Sequence, residues 1–361
     1  MTDYVHSEID GHTGVITLNR PAALNSLSLD MVRAITAALL NWRDNPAVSA
    51  VLVKSSSEKA YCAGGDIRFF YQKGIATPKD GAALIEDFFT EEYALNHLIH
   101  HYPKPYIALL DGVVMGGGMG IAQAGPKARL RIVTERTKMA MPEVGIGLFP
   151  DVGGSYFLSR ATGETGTYLG LSGDIIGAAD AIYADLADVF VPAAQLPALE
   201  AALLNASDAR AAVQTFTAPF ASQANPADSR LAGARDAIEQ HFAQDSLGAI
   251  MSSLASDSGE FASKTLATMQ KRSPLMMCVT LSQLRRGAAM EIGDCLRMER
   301  TMVRRCFEHG EVIEGVRALV IDKDHAPQWQ PASLQEVTPA MTERFFESAW
   351  PDYAHPLRDL T

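Results

Sequence analysis

Cysteine is scarce: four in 361 residues, Cys62, Cys278, Cys295 and Cys306, with no paired or metal-like spacing. Neither a disulfide framework nor a cysteine-built metal centre organises such a chain, and a reducing compartment fits it. No apolar run approaches the ~18 residues of a membrane span, and Met1-Thr-Asp-Tyr-Val opens without a signal or transit pattern, so no membrane partner is expected and the cytoplasm is the expected compartment. Positive charge is outweighed, 31 Lys and Arg against 42 Asp and Glu for a net −11. That balance excludes nucleic acid as a partner, because phosphate backbones call for a positive footprint. No serine sits in a G-x-S-x-G elbow; GLSGD at Gly170 and GGSYF at Gly153 lack the pattern. Among nine histidines only His97 and His101 have the i, i+4 spacing of two ligands on one helical face, and no glutamate follows His97 as a zincin motif requires. Pro103 and Pro105 end that helix at once, so no metal is expected.

What is present is glycine in two similar loops, each behind an apolar strand. Ser49–Lys54 reads as a buried strand and leads to AYCAGGDIRFFY, Ala60 to Tyr71; Tyr106–Leu110 leads to DGVVMGGGMGIAQAG, Asp111 to Gly125. Gly64 and Gly65 in the first, and Gly116 to Gly118 in the second, let the backbone turn with amide N–H groups facing a cleft. The second loop runs into a helix start, where free N–H groups attract negative charge. Two such loops can aim two amides at one oxygen, which is an oxyanion hole. Gly116 to Gly120 forms neither a dinucleotide G-x-G-x-x-G at the required place nor a phosphate loop ending in G-K-[ST]. A tight packing turn is the plain alternative.

A third stretch, MPEVGIGLFPDVGG from Met141 to Gly154, sets Glu143 and Asp151 eight apart among glycines and prolines. Eight residues is too long a step for one helical face, and Pro150 keeps Phe149 out of helical geometry, so each acid is presented from its own loop or element end. Val144, Ile146, Leu148, Phe149 and Val152 around them point to a partly desolvated pair, where carboxylate pKa values move apart and acid or base roles open. Two solvated acids in a turn remain the alternative.

In order, LNRPAALNSLS (18–28), CAGGDI (62–67), MGGGMG (115–120) and MPEVGIGLFPDVGG (141–154) resemble the crotonase superfamily. FPDVGG and the late segment EGVRALVIDKDHAPQWQPASLQEV (314–337) resemble its 3-hydroxyisobutyryl-CoA hydrolase branch. The resemblance implies an α/β fold, a spiral of ββα units with a C-terminal helical module. It implies oxyanion amides at Gly65 and Gly117, a catalytic carboxylate at Glu143 with Asp151 as its partner, and Glu92 as a further acid lining the substrate pocket. Asp66, Ile67 and Arg68 fall where relatives contact CoA. The hydratases carry a glutamate three residues after the second oxyanion glycine, and here that place is Gly120. The stretch between Met115 and Glu143 is a few residues longer than the family pattern.

The resemblance therefore implies hydrolysis of a 3-hydroxyacyl-CoA thioester, with Glu143 acting as nucleophile or as general base for water. Asp151 is expected to pair the substrate hydroxyl. No cofactor is implied, CoA being part of the substrate. An enoyl-CoA hydratase or isomerase, and a CoA-binding protein without chemistry, are the alternatives; a homo-oligomer is compatible with the family. Along the chain, strands and helices alternate through residues 1–191, including a helix with an apolar face at Met31, Ile35, Ala38, Leu39 and Trp42. Residues 192–230, rich in Ala, Ser, Asn and Pro, read as a mobile connection, and 231–361 as a helical module packing on the core or a neighbour.

Overall fold

The computed structural model of the protein describes residues 2–77, 82–204 and 206–360. In chain order its strands are β1 (Val5–Asp10), β2 (Thr13–Leu18), β3 (Ala50–Ser55), β4 (Ala60–Cys62), β5 (Tyr106–Leu110), β6 (Val113–Met115), β7 (Arg129–Val133), β8 (Lys138–Ala140) and β9 (Val189–Phe190). They form a six-stranded sheet, β1-β2-β3-β5-β7-β9, antiparallel only between β1 and β2, and a three-stranded parallel sheet, β4-β6-β8. Successive turns of the chain lay one strand in the large sheet, the next in the small one, and then a helical stretch. This is the α/β spiral that the resemblance implies.

Local chemistry explains the elements. Every residue of β5, YIALL, is buried, as expected of a parallel strand covered on both faces. Helix α1 (Leu29–Arg43) opens on Ser28, whose hydroxyl accepts from the Met31 N–H, and buries Met31, Val32, Ile35, Ala38, Leu39 and Trp42 as its periodicity requires. Gly14 on β2 lies under the Trp42 indole, where a Cβ would come within 2.4 Å of the ring.

Two compact units are built from alternating stretches of the chain. The first comprises Met1–Gly65, Ala94–Ala140 and Ile175–Gly233 and holds all the strands; the second comprises Asp66–Tyr93, Met141–Asp174 and Ala234–Thr361. Helix α2 (Ile67–Ala76) belongs to the second, and helix α3 (Ala83–His100) passes from the second to the first after Tyr93. This division differs from a catalytic core at 1–191 followed by a separate module, since the late helices share a unit with 66–93 and 141–174. The 192–230 stretch also differs from a mobile connection. It forms helices Leu196–Leu204 and Ala209–Thr217, whose Leu196, Leu199, Leu203, Ala209 and Val213 share one core with Leu52, Ile107, Leu109 and Ile132 of the large sheet. Alanine-rich composition hid a helix pair that needs only five apolar anchors to dock.

Candidate active site

In the first unit the two glycine loops leave the same ends of neighbouring parallel strands, β4 and β6, which pair through Ala60 with Val113 and Cys62 with Val114. Their closeness depends on missing side chains. A Cβ on Gly118 would lie 2.3 Å from the Cys62 carbonyl oxygen, and one on Gly64 (φ +101°) would lie 3.6 Å from the Gly117 nitrogen. Gly117 is the first residue of the short helix α4 (Gly117–Gly120), so its N–H has no carbonyl one turn back. Among the described residues neither the Gly65 nor the Gly117 amide meets a backbone acceptor. The first unit thus brings the two glycine loops together. Cys62 beside them is fully buried and fills space. Gly120, in the last position of α4, offers no acid.

The acids belong to the second unit. Glu143 opens a 3-10 turn, Glu143–Gly145, directly after Pro142; its carbonyl accepts from the Ile146 and Leu148 amides at 2.9 and 3.0 Å, which closes the loop on itself. Gly147 (φ +73°) allows the next step, since a Cβ there would meet the Glu311 carbonyl oxygen at 2.3 Å. Asp151 follows Pro150, and its carbonyl accepts from the Gly154 N–H at 2.7 Å at the start of α5 (Gly154–Phe157).

Glu92 on α3, Glu143 and Asp151 are 2%, 6% and 5% exposed. Burial pushes all three carboxyls above their ordinary range, and the Asp151 charge pushes Glu92 and Glu143 further. Asp151 is lifted least, to about 6, because the Tyr93 hydroxyl donates to its Oδ2 at 2.7 Å and its own backbone amide also favours the anion. Within the cluster Asp151 therefore ionises first, while Glu92 and Glu143 hold their protons to higher pH. Glu143 Oε2 and Glu92 Oε1 are buried and have no hydrogen-bond partner among the described residues, a condition uncommon in native structures. Three desolvated acids, two of them raised by the charge of the third and that third served by a dedicated donor, are suited to acid or base roles.

Of the residues expected near CoA, Asp66 caps α2 by accepting from the Phe69 N–H, Ile67 is half-buried in the first turn, and exposed Arg68 donates to the Val320 carbonyl at 3.4 Å. Sequence reasoning missed Tyr93, Gln283 and Glu299. Gln283 Nε2 donates to the Pro150 carbonyl at 2.6 Å and to Ser155 Oγ at 2.8 Å. Glu299 accepts from the Gly153 and Ser155 N–H groups at 2.7 and 2.9 Å. On the helix Ile292–His309, Met302 and Cys306 are buried, whereas Met298 is half-exposed and Glu299 lies among the buried positions. An acid on an apolar stripe was the signal available.

A family model described as enoyl-CoA hydratase/isomerase matches residues 13–346. The 3-hydroxyisobutyryl-CoA hydrolase, mitochondrial, of Xenopus laevis is 41% identical over 94% of this chain and 87% of its own length. That of Homo sapiens is 37% identical over 94% and 88%. Two solved structures are similar throughout: a carnitinyl-CoA dehydratase from Mycobacterium thermoresistibile (TM-score 0.88, 36% identity, 97% and 98% covered) and an enoyl-CoA hydratase from Rhodobacter sphaeroides (TM-score 0.85, 37% identity, 96% and 98% covered). The expectation of a cytoplasmic protein is corrected by these relatives, which are named mitochondrial. Cysteine usage and charge reflect redox conditions and partners, and two reducing compartments look alike by those measures. The motifs, the fold and the relatives agree that the chain belongs to the enoyl-CoA hydratase/isomerase (crotonase) family, in its 3-hydroxyisobutyryl-CoA hydrolase branch.

Proposed function

We propose that the chain hydrolyses the thioester of 3-hydroxyisobutyryl-CoA, or of a close 3-hydroxyacyl-CoA, releasing the hydroxy acid and CoA as a step in valine breakdown. The Gly65 and Gly117 amides receive the thioester oxygen and stabilise the charge that develops on it. Glu143 is the catalytic carboxylate. Either it adds to the acyl carbon and water resolves the anhydride, or it takes a proton from the water that adds; in both routes a C–O bond replaces the C–S bond and the thiolate leaves as the thiol after protonation. Asp151, ionised first and held by Tyr93, accepts the substrate's 3-hydroxyl proton in a hydrogen bond. A site built to pair a hydroxyl discriminates strongly against analogues without it. Glu92 lines the acyl pocket, and Asp66, Ile67 and Arg68 lie along the CoA.

The observation that carries this reading is the buried trio of Glu143, Asp151 and Glu92, in which the Asp151 charge raises both glutamates. A hydratase or dehydratase reading is favoured by the descriptions of the two solved relatives. Gly120 opposes it, since addition of water across a double bond draws on a second acid at that place. Free-thiol release from 3-hydroxyisobutyryl-CoA, followed beside loss of the crotonyl-CoA double bond, separates the two. Thiol release is expected, and Glu143→Gln should lower it by at least ~10²-fold, the usual span for a lost acid/base group. Loss of crotonyl absorbance without thiol would sink the hydrolase reading.

A further inference from the structure

The loop that presents Asp151 is held in a conformation its own sequence disfavours. Val152, β-branched, has φ +53°, and Gly153 follows at φ +90°. A β-branched residue in the left-handed region is an outlier that persists only when its surroundings over-determine it. Here the surroundings are two side chains from distant helices of the same unit. Glu299, on the helix Ile292–His309, spans the Gly153 and Ser155 amides on one side of the turn. Gln283, on the helix Pro274–Gly287, holds the Pro150 carbonyl and the Ser155 hydroxyl on the other. Glu299 is fully buried among Cys295, Met302 and Cys306, so it has no solvent to turn to.

The helix that carries Glu299 is itself braced to the one that carries Tyr93. Arg300 Nε donates to Thr90 Oγ1 at 3.0 Å and its guanidinium pairs with Glu86, while Trp350 covers it with a ring centroid 4.9 Å away. The donor to Asp151 and the clamp on its backbone thus hang on one frame.

We propose that Glu299 is a positioning residue for Asp151: by gripping the two amides beyond the Val152 turn it fixes the direction of the carboxylate that selects hydroxylated acyl groups. The assignment rests on the proposed role of Asp151 toward the substrate hydroxyl. It is specific about chemistry, because a glutamine at this place presents one acceptor oxygen to two N–H donors and turns an amide donor toward the second. Small displacements of a recognising group from outside the reacting atoms carry losses of ~10²-fold.

The test compares Glu299→Gln with wild type on 3-hydroxyisobutyryl-CoA and on isobutyryl-CoA, which lacks the hydroxyl, in the Asp151 and the Asp151→Asn backgrounds. Glu299→Gln should lower kcat/KM for the hydroxylated substrate by ~10²-fold and for isobutyryl-CoA by less than ~3-fold. With Asp151→Asn already present it should cause no further loss. Equal losses on both substrates, or losses that multiply across the two backgrounds, overturn the assignment and leave the hydrolase reading standing. Should wild type show no preference for the hydroxylated group, the reading of Asp151 falls, and amide exchange over 150–157 decides the grip alone: faster exchange in Glu299→Gln sustains it, unchanged exchange overturns it. If Glu299→Gln does not fold, Glu299→Asp, which keeps both acceptor oxygens but draws them back by one methylene, is judged by the same two substrate ratios.

Discussion

Asp151 and Glu143 differ by one methylene and by their company, and the company sets their roles. Asp151 has Tyr93 and ionises near 6; Glu143 has burial and the Asp151 charge, both of which favour its neutral form. Removing the Asp151 charge therefore lowers the Glu143 pKa. In Asp151→Asn the acid limb of the kcat profile should move to lower pH even as the rate on the hydroxylated substrate falls. A limb that moves upward or stays in place contradicts the electrostatic coupling. At this scale the sequence was legible where backbone punctuation marked an acid, as with proline and glycine around Glu143 and Asp151. Tyr93 and Glu299 carried no such mark. A tyrosine in a helix rich in aromatics reads as core, and Phe70, Phe88, Phe89 and Phe307 do pack beside it in one cluster. The sequence separation of 146 between Gly153 and Glu299 puts their contact beyond any local pattern.

Among elements, the small sheet is three strands of three residues, and its worth lies in where those strands end. Gly118 is the tightest point, because a Cβ there meets the Cys62 carbonyl at 2.3 Å and backbone cannot yield as a side-chain tip would. Gly118→Ala should part the two loops, lowering thiol release by on the order of 10²-fold, the loss typical of one missing oxyanion donor. Unchanged kcat in this variant would show that the spacing of the loops is immaterial to the rate. The glycine loops were readable from composition, and α1 from the spacing of its apolar face. The helices Leu196–Leu204 and Ala209–Thr217 were not, since a third of their residues are alanine and they lie in a stretch punctuated by proline and serine, and only their docking on the large sheet reveals their function. Leu199, fully buried there, tests it. Leu199→Ala should destabilise by about 2–5 kcal/mol in denaturant melts, as leucine truncations in cores do. A loss under about 0.5 kcal/mol, within the range of surface substitutions, would return the segment to the status of a loose connection.

At the scale of the molecule, the chain alternates between its two units, so neither is a continuous stretch that can be cut free. A protein ending after Arg230 would keep Glu92, Glu143 and Asp151 yet lack Gln283 and Glu299. It is expected to release no thiol and to melt without a cooperative transition; measurable activity in that truncation would mean the late helices are dispensable. The division at 191 and 230 follows shifts in composition along the chain, and no composition shift reports an alternating path.

The hydrogen bonds from the Gly153 and Ser155 amides to Glu299 have a consequence in time as well as space. Protein synthesis runs from the N-terminus at about 5–20 residues per second, so roughly 7–30 s separate the emergence of the Asp151 turn from that of the carboxylate that clamps it. A ribosome-bound nascent chain carries the acids early but has no means of aiming Asp151. Selectivity for the hydroxylated acyl group would then arise only after residue 299 has left the ribosome, and a chain terminated between the two would carry Glu143 and Asp151 without the grip on the Asp151 turn.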